Sequence, residues 1–165
     1  MSRVLLLCAE RVRPAMAGVG IRFFEMTRTF AGRFDVTLGI PNDPEECPPV
    51  DGARVVRYEA ANLAELSGAA DVVVQPYVTA TQSGVAQIAF HFDKPAIITD
   101  VGGLAEVVPH ERAGLVVPPE NPEALAAEII RFFNEKMAAR LTEGVRQEKQ
   151  KYSWDRLYEA VEDLL

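Results

Sequence analysis

Cysteine and histidine are scarce in this chain, and positive charge is in deficit. The only cysteines, Cys8 and Cys47, form no C-x-x-C pair, which excludes a disulfide scaffold and a zinc ribbon. The only histidines, His91 and His110, stand far apart, and there is no D-x-D motif, so no metal site is expected. Lys and Arg number 17 against 24 Asp and Glu, a net charge of -7. Nucleic-acid binding needs a basic face, and an anionic membrane surface attracts basic segments, so this balance argues against both partners. Long apolar runs are missing too: none approaches the roughly 20 residues of a membrane span. The opening run Val4–Leu7 is too short for a secretory signal and is followed by Glu10 and Arg11. A cytoplasmic protein is expected. No repeat or low-complexity tract breaks the chain.

What is present fits one globular domain. The chain has 165 residues, 48% of them hydrophobic and 25% charged. A domain of this size buries about 70% of its unfolded surface, enough for a core without staples.

Short apolar runs alternate with helical patterns. Strands are expected at 4–9, 34–40, 54–58, 71–74, 95–99 and 114–117, each an apolar run of the kind a buried parallel strand shows. Between them, Ile21, Phe23, Phe24, Met26, Phe30 and Ala31 recur at helical spacing. Further helices are expected at 62–68 with Asn62 as N-cap, at 83–92 and at 104–108. Another starts from an Asn121 N-cap with Pro122 in the first helical position. Two helical stretches finish the chain, the last with Ser153 as N-cap and Trp154, Leu157, Val161 and Leu165 on its apolar side. Residues 41–52 read as a loop. The whole describes a single Rossmann-like, doubly wound parallel sheet of about six strands, with helices on both faces and helices at the C-terminus.

Such sheets bind ligands at the carboxyl ends of their strands. Three loops there are candidates. In the first, Gly18 and Gly20 precede a helix, where free N–H groups favour an anion. The pattern is not G-x-G-x-x-G, since Phe23 stands where a third glycine would fall. Arg22 either meets a phosphate or carboxylate or is simply solvated. In the second, Thr79, Thr81 and Ser83 lead to Gly84; their hydroxyls either cap the helix or bind a phosphate, and Gln87 faces ligand or solvent. In the third, Gly102 and Gly103 allow close backbone approach to a diphosphate. Glu106 either accepts a sugar hydroxyl or lends a favourable first-turn charge to the helix. No Ser-His-Asp or Cys-His set suggests nucleophilic catalysis.

Residues 76–108, PYVTATQSGVAQIAFHFDKPAIITDVGGLAEVV, and 113–132, AGLVVPPENPEALAAEIIRF, resemble the donor-binding region of retaining, group 1 GT-B glycosyltransferases. Residues 13–43, RPAMAGVGIRFFEMTRTFAGRFDVTLGIPND, resemble the start of that family's acceptor-side domain. The resemblance implies transfer of a sugar from a nucleoside-diphosphate donor, which is a substrate, with no cofactor. It implies that Gly102, Gly103 and Glu106, with Thr81, Ser83 and Gly84, lie at the donor, and that Gly18, Gly20 and Arg22 face it from the acceptor side. It leaves the catalytic residue unidentified. The family's E-x-x-x-x-x-x-x-E pair has no counterpart; its members would fall near Ala80 or Thr81 and near Ile88 or Ala89.

The family's enzymes have two Rossmann-like domains and chains more than twice this long. Residues 1–75 resemble the acceptor-side half and 76–165 the donor-binding half, so an internal deletion that leaves one complete sheet is expected. Basic residues of the missing region help to stabilise the leaving diphosphate in the family. Their loss predicts weak or absent catalysis, leaving either nucleotide or phospholigand binding without turnover, or a folded subunit without a ligand. A homodimer that restores an opposing wall is a further expectation.

Overall fold

The computed structural model describes residues 2–8, 12–14, 19–80, 84–152 and 162. In chain order the elements are β1 (Arg3–Leu7), α1 (Val19–Ala31), β2 (Asp35–Ile40), β3 (Ala53–Arg57), α2 (Ala60–Ala69), β4 (Val72–Gln75), α3 (Gly84–His91), β5 (Ala96–Thr99), α4 (Leu104–Val107), β6 (Gly114–Val117), α5 (Pro122–Asn134) and α6 (Ala138–Lys149). Single 3-10 turns follow at Pro44–Glu46 and Gln150–Tyr152.

All six strands join one parallel sheet in the order β3-β2-β1-β4-β5-β6. The order reverses direction between β1 and β4, which makes that boundary the topological switch point. Strand β4 pairs with β1 on one side, through Leu5 and Val73, and with β5 on the other, through Val74 and Ile97. Elements from the two ends of the sequence therefore share one sheet.

The strands read as continuous apolar runs because both faces are covered. Their side chains still alternate between faces with period two. Val4, Leu6, Val36, Leu38, Val72, Val74, Ile97, Leu115 and Val117 share a core with Phe23 and Phe30 of α1 and Leu125, Ile129 and Phe132 of α5. Leu5, Leu7 and Val73 turn to the opposite face, with Leu66 of α2 and Ile88 and Ala89 of α3. Ala96 and Ile98 face the same way, toward Phe90 of α3, Leu104 of α4 and Val145 of α6. Each fully buried Leu, Ile or Phe contributes about 1.5–3 kcal/mol.

Two helix starts differ in their chemistry. Asn121 caps α5 as expected: its Oδ1 accepts from the Ala124 N–H at 2.9 Å, and Pro122 follows. At α2 the expectation fails. The N-cap is Glu59, and Asn62 sits inside the first turn, where its Oδ1 accepts from the Glu59 N–H at 2.8 Å. Its amide reaches back to the Arg57 carbonyl at 2.8 Å. An Asn near a helix start satisfies orphan backbone groups from either position, so spacing alone does not distinguish them. Strand boundaries shift by a residue or two from the sequence reading, since β1 opens at Arg3, β3 at Ala53 and β4 at Val72. The Ser153 cap lies outside the described residues.

Helix α6 is held closely against the turn before β6. A Cβ on Gly144 would lie 1.7 Å from the Arg112 carbonyl oxygen. Glu148, one turn later and almost wholly buried, receives the Arg112 guanidinium at 3.0 Å on Oε1, and Lys151 on Oε2.

Candidate functional site

The carboxyl edge of the sheet collects the ends of β1, β4, β5 and β6 and the loops that leave them. Of the first loop, Gly18 and the Arg22 side chain, and with them the expected anion site, lie outside the described residues. Gly20 is the second residue of α1 and is buried. Thr81 and Ser83 of the second loop also lie outside. Gly84 opens α3, is exposed, and has open space where a Cβ would stand. Its lack of a side chain is therefore not demanded by packing. Gln87 is exposed on the same helix.

The third loop is fully described. Thr99 ends β5 almost completely buried, and its hydroxyl donates to the Tyr77 carbonyl, which ties this loop to the one after β4. A tight turn follows, closed by the Leu104 N–H on the Val101 carbonyl at 3.2 Å. Gly102 takes the left-handed conformation there, with φ 54°. A side chain at that φ costs about 1–2 kcal/mol, so the turn alone is reason enough for this glycine. Gly103, at φ -90°, needs no such freedom. Gly102 is exposed and Gly103 half-buried, and Glu106 is exposed in the single turn of α4. Thus Gly84, Gly102, Gly103 and Glu106 all stand accessible on one edge of the sheet.

Beside this edge lies a feature that local sequence did not reveal. Phe34, in the turn that follows α1, packs on Phe133 of α5 with ring centroids 4.9 Å apart. Toward the carboxyl ends of the strands α1 and α5 leave a groove of about 480 Å³. Phe30 and Leu125 line it, Pro76, Val78 and Thr99 close it at the strand ends, and Glu25 and Glu120 stand among its few polar groups. Glu25 is engaged by Arg28 at 3.1 Å. Glu120 holds a left-handed backbone, φ 56°, just before the α5 cap. The groove joins residues from the front and the back of the sequence, which is why periodicity within any one segment could not point to it.

Each histidine has a local contact within the fold. The Nδ1 of His110 accepts from the Val116 N–H at 2.9 Å, which pins the turn before β6. His91 ends α3 at the surface, edge-on to Phe92. Among the described residues, no group of three His, Cys, Asp or Glu is placed to hold a metal ion. Cys8 and Cys47 are both buried free thiols, and burial raises the Cys47 thiol above its ordinary value.

A six-stranded parallel sheet with its switch point between β1 and β4 and helices on both faces defines a Rossmann-like, doubly wound α/β domain. The particular family follows from comparison. The model of the family "Glycosyl transferases group 1" matches residues 39–135, more than half of the chain. The chain belongs to the group 1 glycosyltransferases. It is 35% identical over 100 residues to the uncharacterized glycosyltransferase MJ1607 of Methanocaldococcus jannaschii, covering 58% of this chain and 25% of that one. Its fold is similar to sucrose-phosphate synthase of Thermosynechococcus elongatus, with TM-score 0.73, 23% identity, 99% of this chain and 44% of that one. It is also similar to Anabaena Alr3699/HepE in complex with UDP-glucose, with TM-score 0.74, 14% identity, 99% of this chain and 48% of that one. The chain spans about a quarter of the length of the curated relatives that it matches.

Among the described residues, no helix is long and apolar enough to cross a membrane.

Proposed function

We propose that this chain is a donor-binding domain of the group 1 type, which holds a nucleoside-diphosphate sugar on its carboxyl edge and transfers the sugar weakly or not at all by itself. The observation that carries this reading is the Val101–Leu104 turn. Its glycine pair, Gly102 exposed and Gly103 half-buried, opens from the end of β5, one strand from the switch point of the sheet. Backbone N–H groups in such a turn suit the phosphate oxygens of a diphosphate. The similarity to a structure in complex with UDP-glucose supports a uridine donor. Glu106 is the nearest carboxylate on α4 and is assigned to a sugar hydroxyl. Gly84 leaves room for the donor at the start of α3, and Thr81 and Ser83, which precede it in sequence, are assigned to the same ligand.

The reading of weak catalysis is supported by the composition of the two loops that flank the glycine turn. Stabilising a leaving diphosphate takes fixed positive charge, worth several kcal/mol in the transition state. Neither the described loop after β4 nor the one after β5 holds a Lys or Arg between the strand and the next helix. The reading extends to a homodimer in which the Gly18–Arg22 segment of one copy faces Gly102 and Gly103 of another, and to a cytoplasmic setting where nucleotide sugars are available.

A thermal-shift series with UDP, GDP, ADP and their glucose conjugates tests the proposal. A ligand at 100 times its dissociation constant adds about 2.7 kcal/mol to stability, a rise of roughly 5–10 °C for a domain of this size. A rise with one diphosphate family and little sugar release is the expected result. No rise with any of them overturns donor binding.

A further inference from the structure

We propose that Arg13 is the cation that meets the donor's diphosphate, and that Asn42 is the residue that positions it. The inference rests on the donor reading above and adds to it a positive charge that neither glycine-bearing loop supplies.

The distribution of charge singles out this arginine. Most of the described Lys and Arg side chains are engaged by carboxylates within the fold, as Arg3 is by Asp71, Arg28 by Glu25, Arg57 by Glu59 and Arg131 by Glu111. Among the described residues, Arg13, Arg33, Arg54, Lys94 and Lys136 form no such pair. Arg33 precedes β2, Arg54 stands near the start of β3, Lys94 precedes β5, and Lys136 follows α5, which runs back from the carboxyl ends of the strands. Those four belong to the amino edge of the sheet. Arg13 alone of the five lies on the carboxyl edge, in the loop that leaves β1 at the switch point.

The backbone at Arg13 is held from both sides. Val12, just before it, is fully buried in the core that contains Phe23 and Ile40. The Asn42 side chain grips the backbone of the same residue. Its Oδ1 accepts from the Val12 N–H at 3.0 Å, and its amide donates to the Val12 carbonyl at 3.1 Å. Asn42 is only 6% exposed, and these hydrogen bonds offset the cost of burying its amide. On the other side stands Pro14, and a proline keeps the residue before it in extended backbone. Arg13 therefore combines a restrained backbone with an exposed, unpaired side chain. Such restraint lowers the ordering cost of binding.

Position and chemistry then name the ligand group. Only β4 separates β1 from β5, so the two strands lie about 9.5 Å apart. A diphosphate on the Val101–Leu104 turn lies beside the end of β4, and Arg13 stands on its opposite side. Asp100 and Glu106, on the turn's own side, pair with no described cation, so the neutralising charge must come from elsewhere. A guanidinium suits a diphosphate because its planar fork of N–H donors meets two phosphate oxygens at once.

The test compares UDP with uridine, which keeps the base and ribose and lacks both phosphates. Each is titrated into the whole chain and followed by amide chemical shifts. Arg13→Ala is expected to keep the apo melting temperature, to weaken UDP about tenfold to hundredfold and to leave uridine unchanged. Arg13→Lys is expected to recover part of the loss, and added salt to weaken UDP less in Arg13→Ala than in the wild type. Arg33→Ala, which removes an unpaired cation from the amino edge, is expected to leave UDP binding unchanged. Asn42→Ala is expected to lower the ratio of UDP to uridine affinity, whereas a purely structural role would lower both affinities alike. Unchanged UDP affinity in Arg13→Ala, an equal fall for uridine, or an equal fall in Arg33→Ala overturns the assignment of Arg13 and leaves the donor reading intact. An unchanged ratio in Asn42→Ala overturns the positioning role. A wild-type chain that does not bind UDP overturns the donor reading itself, and the assignment with it.

Discussion

Gly144 of α6 lies directly against the carbonyl of Arg112, so close that a Cβ would stand only 1.7 Å from its oxygen. That contact lets Glu148 reach the Arg112 guanidinium, so one glycine and one ion pair dock the helix on the sheet edge. Gly144→Ala gains about 1 kcal/mol of helix propensity but forces backbone apart. A net loss of about 2 kcal/mol or more is expected, seen as a melting temperature lower by roughly 4–8 °C. Gly68→Ala, within α2 and with open space around it, is expected to gain a few tenths to 1 kcal/mol. Equal effects at both positions would show that α6 is not seated as described.

The Arg112–Glu148 pair is asymmetric. Glu148 is almost completely buried, whereas the Arg112 side chain is 54% exposed. Arg112→Ala leaves a buried carboxylate with only Lys151, while Glu148→Gln leaves a cation already in water. The arginine variant is expected to cost more, about 2 kcal/mol against about 1. Urea unfolding of both variants checks the order.

Acid should loosen the fold at three carboxylates. Hydrogen bonds from Lys149 and Arg146 hold the Asp93 carboxyl below its ordinary value. Arg131 and Arg140 do so for Glu111. Burial of Asp71 opposes its charge, but the hydrogen bonds and charge of Arg3 outweigh it, and its value is lowered too. A group whose folded value is depressed stabilises fully above its unfolded value, about 4, and the gain is lost as pH falls through the folded value. Stability is therefore expected to be flat in this contribution above pH about 5 and to fall below it. Asp93→Asn should flatten the acid limb of a melting-temperature profile.

The two glycines of the β5 loop separate folding from binding. Gly102→Ala meets a positive φ and is expected to cost about 1–2 kcal/mol with or without a ligand. Gly103→Ala meets an ordinary φ of -90° and should leave the apo melting temperature within a degree or two. If its new methyl group blocks the diphosphate, the UDP-induced rise falls while apo stability stays. A variant that keeps the full UDP response removes Gly103 from the donor site.

Much of the fold was legible in the sequence because a parallel sheet covered on both faces needs uninterrupted apolar strands. Val72, Val73 and Val74 or Ala96, Ile97 and Ile98 advertise that without help from the rest of the chain. The α5 cap was legible for the same local reason. Tertiary facts were not. Nothing near Gly144 or Gly114 announces that a Cβ would strike the Arg112 or Ala96 carbonyl. Asn62 read as a cap because its side chain does satisfy a helix-start N–H, but from within the first turn. The resemblance located the glycine turn, and the structure adds that Gly102 is required by conformation. The groove escaped notice since Phe30 and Leu125 meet only after folding. The expected seam near residue 75 leaves no mark on the sheet, where β4 is paired on both sides.

The most direct measurement is an amide chemical-shift map of the intact chain during titration with UDP. Saturable shifts at Val101, Gly102, Gly103, Leu104 and Ala105, with others at Gly84–Gln87 and none at Phe30 or Leu125, are the predicted result. Shifts confined to the α1–α5 groove, or none at saturating UDP, would contradict a donor site on the glycine edge.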